Sequence, residues 1–237
     1  MRIFLTLALF VLPHVAFAQD ALGTTMDSLS NGVGRNAITL LAVMTLLSLA
    51  PGIAIMVTCF PFIVTVLSIL RQSIGLQQSP PNMLIVSLAM FLTWFVMEPV
   101  LTEAWNIAGA PLQSGAITVD QAFARGIQPF RGFMETRTDP EMLARLAEIA
   151  PEPDAVPDRL SVLIPAFMLS EVQRAFEIGF LVALPFLIID LVVSAVLMSM
   201  GMMMVPPAVV ALPFKLAFFV VVDGWGLIAS ALVRSYQ

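Results

Sequence analysis

The chain has 237 residues, of which 59% are hydrophobic and only 11% are charged, and its mean hydropathy is +0.95. Because soluble domains carry roughly a quarter charged residues, this composition excludes an ordinary water-soluble domain and predicts a membrane protein. The formal net charge is −5, with a single lysine, Lys215, and no basic patch, which excludes a nucleic-acid-binding protein.

Residues 1–18 have the pattern of a secretory signal peptide. Arg2 precedes an apolar run, and Ala16-Phe17-Ala18 is the small-x-small site that a signal peptidase requires. The apolar run is too short to span a bilayer, although a short first transmembrane helix is the alternative. We therefore expect the mature chain to begin at Gln19, followed by a polar extracytoplasmic lead-in over residues 19–36.

Signal cleavage would remove His14, the only histidine, and leave one cysteine, Cys59. A catalytic triad that contains histidine is then excluded, and no zinc or haem site is expected. One cysteine cannot form an intrachain disulfide, and Cys59 lies in an apolar run where we expect a small buried side chain. The sequence thus predicts a protein that is not an enzyme and holds no metal or cofactor.

Residues 37–105 form an N-terminal membrane region with two apolar segments. The first has no charge from Ala37 to Leu70, and as one helix it would be about 50 Å long against a hydrocarbon core of about 30 Å. It is therefore longer than one simple span, and Pro51 and Pro61 are the expected bends. The second segment, residues 82–97, ends at Glu98-Pro99 and is short for a span.

Residues 106–159 are an acidic insert between the two apolar regions. With its flanks (98–160) it holds ten acidic residues and five arginines. This excess of acids, together with the signal peptide, predicts a periplasmic, water-exposed position. Within it we expect a helix over Pro140–Ala150, with Glu141, Arg145 and Glu148 facing water.

Residues 160–237 are apolar again and contain two further membrane segments, 180–201 and 205–222. Hydropathy thus gives about four segments, with both termini outside the cytoplasm. Glu171, Arg174 and Glu177 lie three residues apart and therefore on one helix face. That face could line an aqueous passage or could be an ordinary solvated face.

Asp190 and Lys215 are isolated charges at membrane depth. A charge at mid-bilayer costs roughly 2.5–3.5 kcal/mol, so such groups need a partner, a cavity or water. The arrangement with the lowest energetic cost is a salt bridge between them, within one subunit or between neighbouring subunits. A proton relay, an assembly contact and a purely structural ion pair all remain open for this pair.

A methionine run, Met202-Met203-Met204, precedes Val205-Pro206-Pro207. The prolines stop a helix and Gly201 permits unusual backbone angles, so this is a turn between two membrane helices. Its side chains are long, apolar and adaptable. A ring of such turns could seal a pore, because hydrophobic constrictions exclude water and ions; simple packing of the turn is the other interpretation.

Eight stretches of the chain together resemble the flagellar biosynthetic protein FliP family. In chain order they are FIVTVLSILRQ (62–72), QQSPPN (77–82), LIPAFMLSE (163–171), FEIGF (176–180), LPFLIIDLVV (184–193), VLMSMGMMMVPP (196–207), LPFK (212–215) and VDGW (222–225). The resemblance covers residues 37–105 and 160–236, whereas the acidic insert agrees in position and character more than in sequence.

This resemblance implies an all-α integral membrane protein with kinked or re-entrant helical hairpins and a small extracytoplasmic insert. It implies a core subunit of the flagellar type III export gate in the bacterial inner membrane. Several copies assemble with two other small membrane subunits, beside larger export-apparatus membrane proteins, into a channel. Unfolded flagellar proteins pass through this channel, driven with the help of the proton-motive force and an ATPase.

The resemblance also implies roles for particular residues. The methionine-rich loop of the family falls on Met202, Met203 and Met204 and acts as a gasket around the closed pore. Four charged residues are expected to line the pore or to mediate assembly: Glu171, Arg174, Asp190 and Lys215. A wet axial cavity is expected near Glu171.

Two other functions remain as alternatives. The equivalent subunit of a virulence injectisome is the nearer one, although the signal peptide and the long insert favour the flagellar branch. A proton-coupled small-molecule transporter using Asp190 and Lys215 is the second. Transporters of that class often carry internal repeats, and the sequence shows none.

Overall fold

We determined the fold from a computed structural model, which describes residues 41, 44, 45, 48, 49, 52–76, 80–151, 159–202 and 204–236. The signal peptide, the lead-in and Met203 lie outside the described residues. The chain divides into two units, Met1–Ile53 and Ala54–Gln237. The described residues of the first unit are helical, and all that follows concerns the second.

Every regular element in the described part of the chain is helical, which confirms the predicted all-α membrane class. The elements are α1 (Phe60–Ile74), α2 (Asn82–Ala104), a π-helical turn (Trp105–Gly109), α3 (Ala110–Gln113), α4 (Val119–Gly126), α5 (Gln128–Arg137), α6 (Pro140–Glu148), α7 (Leu160–Ser199), α8 (Pro207–Val221) and α9 (Gly224–Arg234).

The overlong first apolar segment is interrupted just before Pro61. Residues 57–59 form a turn, and α1 begins at Phe60 with Pro61 in its first turn. A proline is harmless there because the first N–H groups of a helix have no intrahelical acceptor. The bend expected at Pro61 is confirmed, whereas Pro51 lies outside the described residues.

The second apolar segment continues well beyond Glu98-Pro99, so the predicted end at that site is wrong. From residue 82 to residue 113 the chain is helical without a break, through the π-helical turn. Val100 and Leu101 join the same apolar cluster as Phe130 and Phe133 of α5. This packing offsets the hydrogen bond that Pro99 removes from the helix.

Helix α7 is a single helix of 40 residues, about 60 Å long at 1.5 Å per residue. The amphipathic stretch around Glu171 and the segment predicted at 180–201 are parts of this one helix. By length and composition, α7 and the helical stretch 82–113 can each cross a membrane. Helices α8 and α9 form a third candidate, bent by 61° between them.

The three later segments that hydropathy predicts correspond to these candidates, whereas the first segment lies partly outside the described residues and stays a prediction. Helix α8 is followed by a sharp bend before α9. At that bend Asp223 adopts a left-handed backbone with φ of 49°. Asp is among the few residues that tolerate this conformation, at a cost of roughly 1–2 kcal/mol.

The core is built around α1, which packs between α7 and α2. Phe62, Ile63 and Val66 are completely buried there. Gly179 of α7 provides the closest approach, since a Cβ atom at this position would collide with the side chain of Ile69. Helices α5 and α6 pack on the N-terminal half of α7 through Met134, Leu163 and neighbouring side chains.

One predicted helix of the insert is present, although the helical stretch 82–113 runs across the predicted start of the insert at residue 106. Helix α6 covers Pro140–Glu148, which confirms the helix expected over Pro140–Ala150. Asp139 caps it by accepting a hydrogen bond from the Glu141 backbone N–H at 2.8 Å. Glu141, Arg145 and Glu148 are exposed, as predicted. Arg145 and Glu141 form a surface salt bridge at 2.6 Å.

Candidate functional site

Glu171, in the N-terminal half of α7, is completely buried and has a full set of partners. Its Oε1 accepts hydrogen bonds from Arg137 Nε at 3.1 Å and from Arg174 Nη1 at 3.3 Å. The hydroxyl of Tyr236 donates to Oε2. A buried carboxylate is costly unless it is paired and hydrogen-bonded, and this one is.

Arg137 is the second centre of this cluster. Its Nη1 donates to the backbone oxygen of Ser235 at 2.8 Å, and its guanidinium carbon lies 4.1 Å from the centre of the Tyr236 ring. Beside it, the Asp139 backbone N–H donates to Ser170 Oγ at 3.0 Å. The cluster thus joins the end of α5, the N-terminal half of α7 and the C-terminal residues.

Tyr236 stays protonated in this environment. Burial raises the pKa of its hydroxyl well above the ordinary value, and the neighbouring Glu171 carboxylate raises the pKa further. The phenol therefore remains a donor to Glu171 throughout the physiological range. The stacked ring of Phe133 and the edge of Phe62 complete the enclosure of the tyrosine.

Sequence analysis placed Glu171, Arg174 and Glu177 on one face that could line an aqueous passage, and the structure separates them. Glu171 points inward, Arg174 is half-buried, and Glu177 is exposed and accepts from Gln173 Nε2 at 3.1 Å. Each step of three residues turns the helix by about 60°, enough to pass from core to surface. A small polar cavity of about 60 Å³ lies beside the cluster, lined by Asp139, Ser170, Gln173, Arg174 and Glu177. The axial cavity expected between copies near Glu171 stays a prediction.

Arg137 and Tyr236 are functional candidates that the sequence did not reveal. They lie 34 and 65 residues from Glu171, and no local spacing connects them. Local spacing pointed only to Arg174 as a partner for Glu171. Across the described ranges, no three His, Cys, Asp or Glu side chains could together hold a metal ion.

Asp190 and Lys215 form the salt bridge that the sequence predicts, and they form it within one chain. Lys215 Nζ donates to Asp190 Oδ2 at 2.6 Å and to the backbone oxygen of Ser73 at 2.9 Å. The lysine side chain is 7% exposed and the aspartate 36%. Because Ser73 belongs to α1, the pair ties α7 and α8 to the end of that helix.

The methionine turn is a defined helix cap. Helix α7 ends in a Schellman motif, in which Gly201 has φ of 75°. The Met202 N–H donates to the Leu197 oxygen at 3.0 Å, and the Gly201 N–H donates to the Met198 oxygen at 3.1 Å. The turn then enters α8 through Pro206 and Pro207, which fix its first backbone angles.

Met202 and Met204 of this turn lie at the surface of the chain. The exposed fraction is 39% for Met202 and 98% for Met204. Met198 and Met200, which precede the turn, are also exposed, at 61% and 65%. An apolar residue that is almost fully exposed at a fixed turn gains nothing from packing within its own chain, so the packing interpretation fails for Met204.

Comparison with known proteins agrees with this arrangement. The model of the FliP family matches residues 43–232. The chain belongs to the FliP family. Flagellar biosynthetic protein FliP of Caulobacter vibrioides is 47% identical over 234 residues, 98% of this chain and 88% of that protein. The protein of the same name in Agrobacterium fabrum is 46% identical over 247 residues, 100% of this chain and 99% of the relative.

Flagellar biosynthetic protein FliP of Bacillus subtilis is 45% identical over 204 residues, 85% of this chain and 92% of that protein. The resemblance noted from sequence motifs is therefore confirmed. The FliP-family match includes Glu171, Arg137, the Asp190–Lys215 pair and the methionine turn. Tyr236, which completes the Glu171 cluster, lies just beyond it.

Proposed function

We propose that this FliP-family chain is a core, channel-forming subunit of the flagellar type III protein export gate. In this role several copies surround a common axis, and unfolded flagellar proteins cross the bacterial inner membrane through the opening. The chain acts by forming a passage and not by catalysis. The insert, residues 106–159, faces the periplasm in this proposal.

The observation that carries this proposal is the exposed methionine turn on the α7–α8 hairpin. Met204 is 98% exposed although it is apolar, and Met202 lies beside it. A ring of such turns closes a pore against ions because an apolar constriction excludes water. Methionine side chains are unbranched and adapt their shape, so the same ring can deform around varied unfolded chains.

The partners in this proposal are further copies of the chain, two other small membrane subunits and the larger membrane proteins of the export apparatus. Support comes from the surface of α7. It combines exposed apolar residues such as Phe176, Phe180 and Leu181 with the exposed Glu177. Lipid alone does not suit both kinds of residue, because an exposed charge facing hydrocarbon is costly.

We assign the two buried charge clusters to the framework of the subunit. Glu171 and Lys215 each bond to groups from two other elements, as an assembly framework requires. A proton relay through Asp190 and Lys215 needs groups that exchange protons with water, whereas the Lys215 side chain is only 7% exposed and its Nζ bonds to Asp190 and to the backbone oxygen of Ser73. This favours the export gate over a small-molecule transporter driven through these charges.

The equivalent subunit of a virulence injectisome remains the second candidate. The relatives described above are named as flagellar proteins, which favours the flagellar branch. The two candidates are separated by expressing this chain in a bacterial strain that lacks its own copy and by measuring whether the cells swim. Restored swimming supports the flagellar role, and restored injection without swimming contradicts it.

The gasket is tested by replacing Met202, Met203 and Met204 together with alanine. Alanine removes the flexible apolar chains while it keeps the backbone, so we expect membranes that contain the complex to leak ions. The measurement is ion conductance of vesicles or cells that express the chain with its gate partners. Unchanged conductance in an assembled complex contradicts the gasket.

A matched control is available in α2. Met83 and Met90 are exposed to 81% and 53%, far along the chain from the turn. Replacing both with alanine removes similar exposed apolar surface without touching the turn. The conductance of this control variant is expected to equal that of the unmodified complex.

A further inference from the structure

The residues that follow α9 return to the middle of the helical packing. The hydroxyl of Tyr236 donates to Glu171 of α7, and its ring stacks on Phe133 of α5. The backbone oxygen of Ser235 accepts from Arg137 Nη1, also of α5, at 2.8 Å. Ser235 and Tyr236, which we call the latch, thus contact both the insert helix α5 and the long helix α7.

The latch is the polar anchor of α9. Over the residues described, no side chain within α9 forms a hydrogen bond with another helix, since Ser230 Oγ donates to the Leu227 oxygen of α9 itself at 2.9 Å. Only Gly224 and Leu232 of α9 are buried. The polar contacts that tie this end of the chain to other helices therefore come from the two residues of the latch.

At its other end, α9 starts from a strained bend. Asp223 has φ of 49°, and the helix direction changes by 61° between α8 and α9. A left-handed backbone at a residue other than glycine persists only where the surrounding contacts hold it. Helix α9 thus has a strained bend at its start and a polar anchor just after its end.

We propose that α9 is a hinged arm held by the latch, and that release of the latch undocks the insert helix α5 from α7. Arg137 links the two events. Its Nε pairs with Glu171 at 3.1 Å and its Nη1 binds the latch, whereas its buried Nη2 has no hydrogen-bond partner among the described residues. When the latch leaves, a second nitrogen of this guanidinium loses its partner, which disfavours the docked position of α5. The proposal concerns contacts within one chain and does not depend on the proposed export function.

The first test releases the latch and measures the insert, in the detergent-extracted full chain. Tyr236→Ala removes both the ring and the donor, so we expect trypsin to cut after Arg137, whose side chain is 16% exposed when docked. Cys59, the only cysteine, is completely buried in the apolar cluster on which Tyr236 packs. We expect N-ethylmaleimide to label Cys59 at least about tenfold faster in this variant, because losing a hydrogen bond to a charged group favours local opening by about that factor.

Tyr236→Phe and Leu227→Ala are the matched variants. Phenylalanine keeps the ring and removes only the donor, so its labelling rate is expected to lie between those of Tyr236→Ala and the unmodified chain. Leu227 lies on α9, is 58% exposed and is outside the apolar cluster, so Leu227→Ala is expected to label as the unmodified chain does. If Tyr236→Ala protects Cys59 and Arg137 as well as the unmodified chain, the latch is overturned.

The second test changes the insert and measures the latch. Tyr236 is the only tyrosine, and the positive charge of Arg137 lowers its otherwise raised pKa. In Arg137→Gln a latch that stays closed has a pKa of Tyr236 raised further, whereas an open latch gives tyrosinate absorbance near pH 10, as in an ordinary tyrosine. We expect the open latch. Arg145→Gln, at an exposed position of α6, is the control and leaves the titration unchanged. A folded Arg137→Gln chain without tyrosinate near pH 10 overturns the coupling between latch and insert.

Discussion

At the scale of single residues, the Glu171 cluster explains how an apolar chain holds a buried acid. Glu171 has three donors, from Arg137, Arg174 and Tyr236. Removing one partner of a buried pair typically costs about 3–5 kcal/mol, because the other charge is left uncompensated. We therefore regard Arg137 as equal in importance to Glu171 for the fold.

The tyrosine in this cluster gives a direct test, because Tyr236 is the only tyrosine of the chain. Burial and Glu171 raise its pKa, so we expect no tyrosinate absorbance in the folded protein near pH 10, where an ordinary tyrosine is about half ionised. A raised folded-state pKa contributes stability below the unfolded-state pKa, and this stability is lost as the pH rises through the folded-state pKa.

Glu171→Gln is the informative variant for this titration. It removes the negative charge beside the phenol, so the pKa of Tyr236 is expected to fall towards its ordinary value. Glu141→Gln, at an exposed position in α6, is the control and leaves the titration unchanged. An ordinary tyrosine titration in the folded, unmodified protein contradicts the buried cluster.

At the scale of elements, the α7–α8 hairpin depends on the cap at Gly201. Its φ of 75° lies in the left-handed region, where a non-glycine residue costs roughly 1–2 kcal/mol and a β-branched one more. The Schellman hydrogen bonds that fix the direction of Met202 depend on this conformation. The position of Met202 therefore depends on the backbone geometry at Gly201 as well as on the chemistry of its side chain.

We expect Gly201→Val to destabilise the turn by at least about 1–2 kcal/mol and to raise ion conductance of the assembled complex. Gly201→Asn is expected to behave almost as the original, because asparagine tolerates the left-handed region. Thermal unfolding of the detergent-extracted protein and vesicle conductance are the two measurements.

Gly115 is the control for backbone strain alone. It has φ of 72° and open space around its Cβ position, as Gly201 has, but it lies in the insert. Gly115→Val is expected to lower the melting temperature without raising the conductance. Equal leakage from both valine variants disproves a specific role of the cap.

At the scale of the whole molecule, the Asp190–Lys215 pair joins three helices, α1, α7 and α8. Lys215 is buried and bonds to the backbone oxygen of Ser73 as well as to Asp190. Its loss thus affects the packing of these three helices within one subunit.

We expect Asp190→Asn and Lys215→Gln each to impair assembly, since either variant leaves one charge unpaired at membrane depth. Exchanging the two residues, Asp190→Lys with Lys215→Asp, is expected to restore assembly in part. The measurement is the size of the detergent-extracted complex, with and without its gate partners. If both single variants form a complex of the original size, the salt bridge is not needed for assembly.

The sequence by itself determined the class of the molecule and its local signals. The shortage of charge indicated a membrane protein, Pro61 marked a bend, and Gly201 with Pro206-Pro207 marked a turn between two helices. The isolated charges Asp190 and Lys215 favoured a salt bridge between them. These predictions hold because each rests on a local rule or on the high cost of an unpaired charge in an apolar environment.

Only the tertiary structure decided which distant groups meet. The continuation of α2 past Pro99 depends on packing against α5, and the enclosure of Glu171 depends on Arg137 and Tyr236, far away along the chain. Helix spacing placed Glu171 near Arg174, but it could not say that one faces the core and the other the surface. That choice belongs to the packing of α5 and the C-terminal residues against α7, which no local pattern in the sequence specifies.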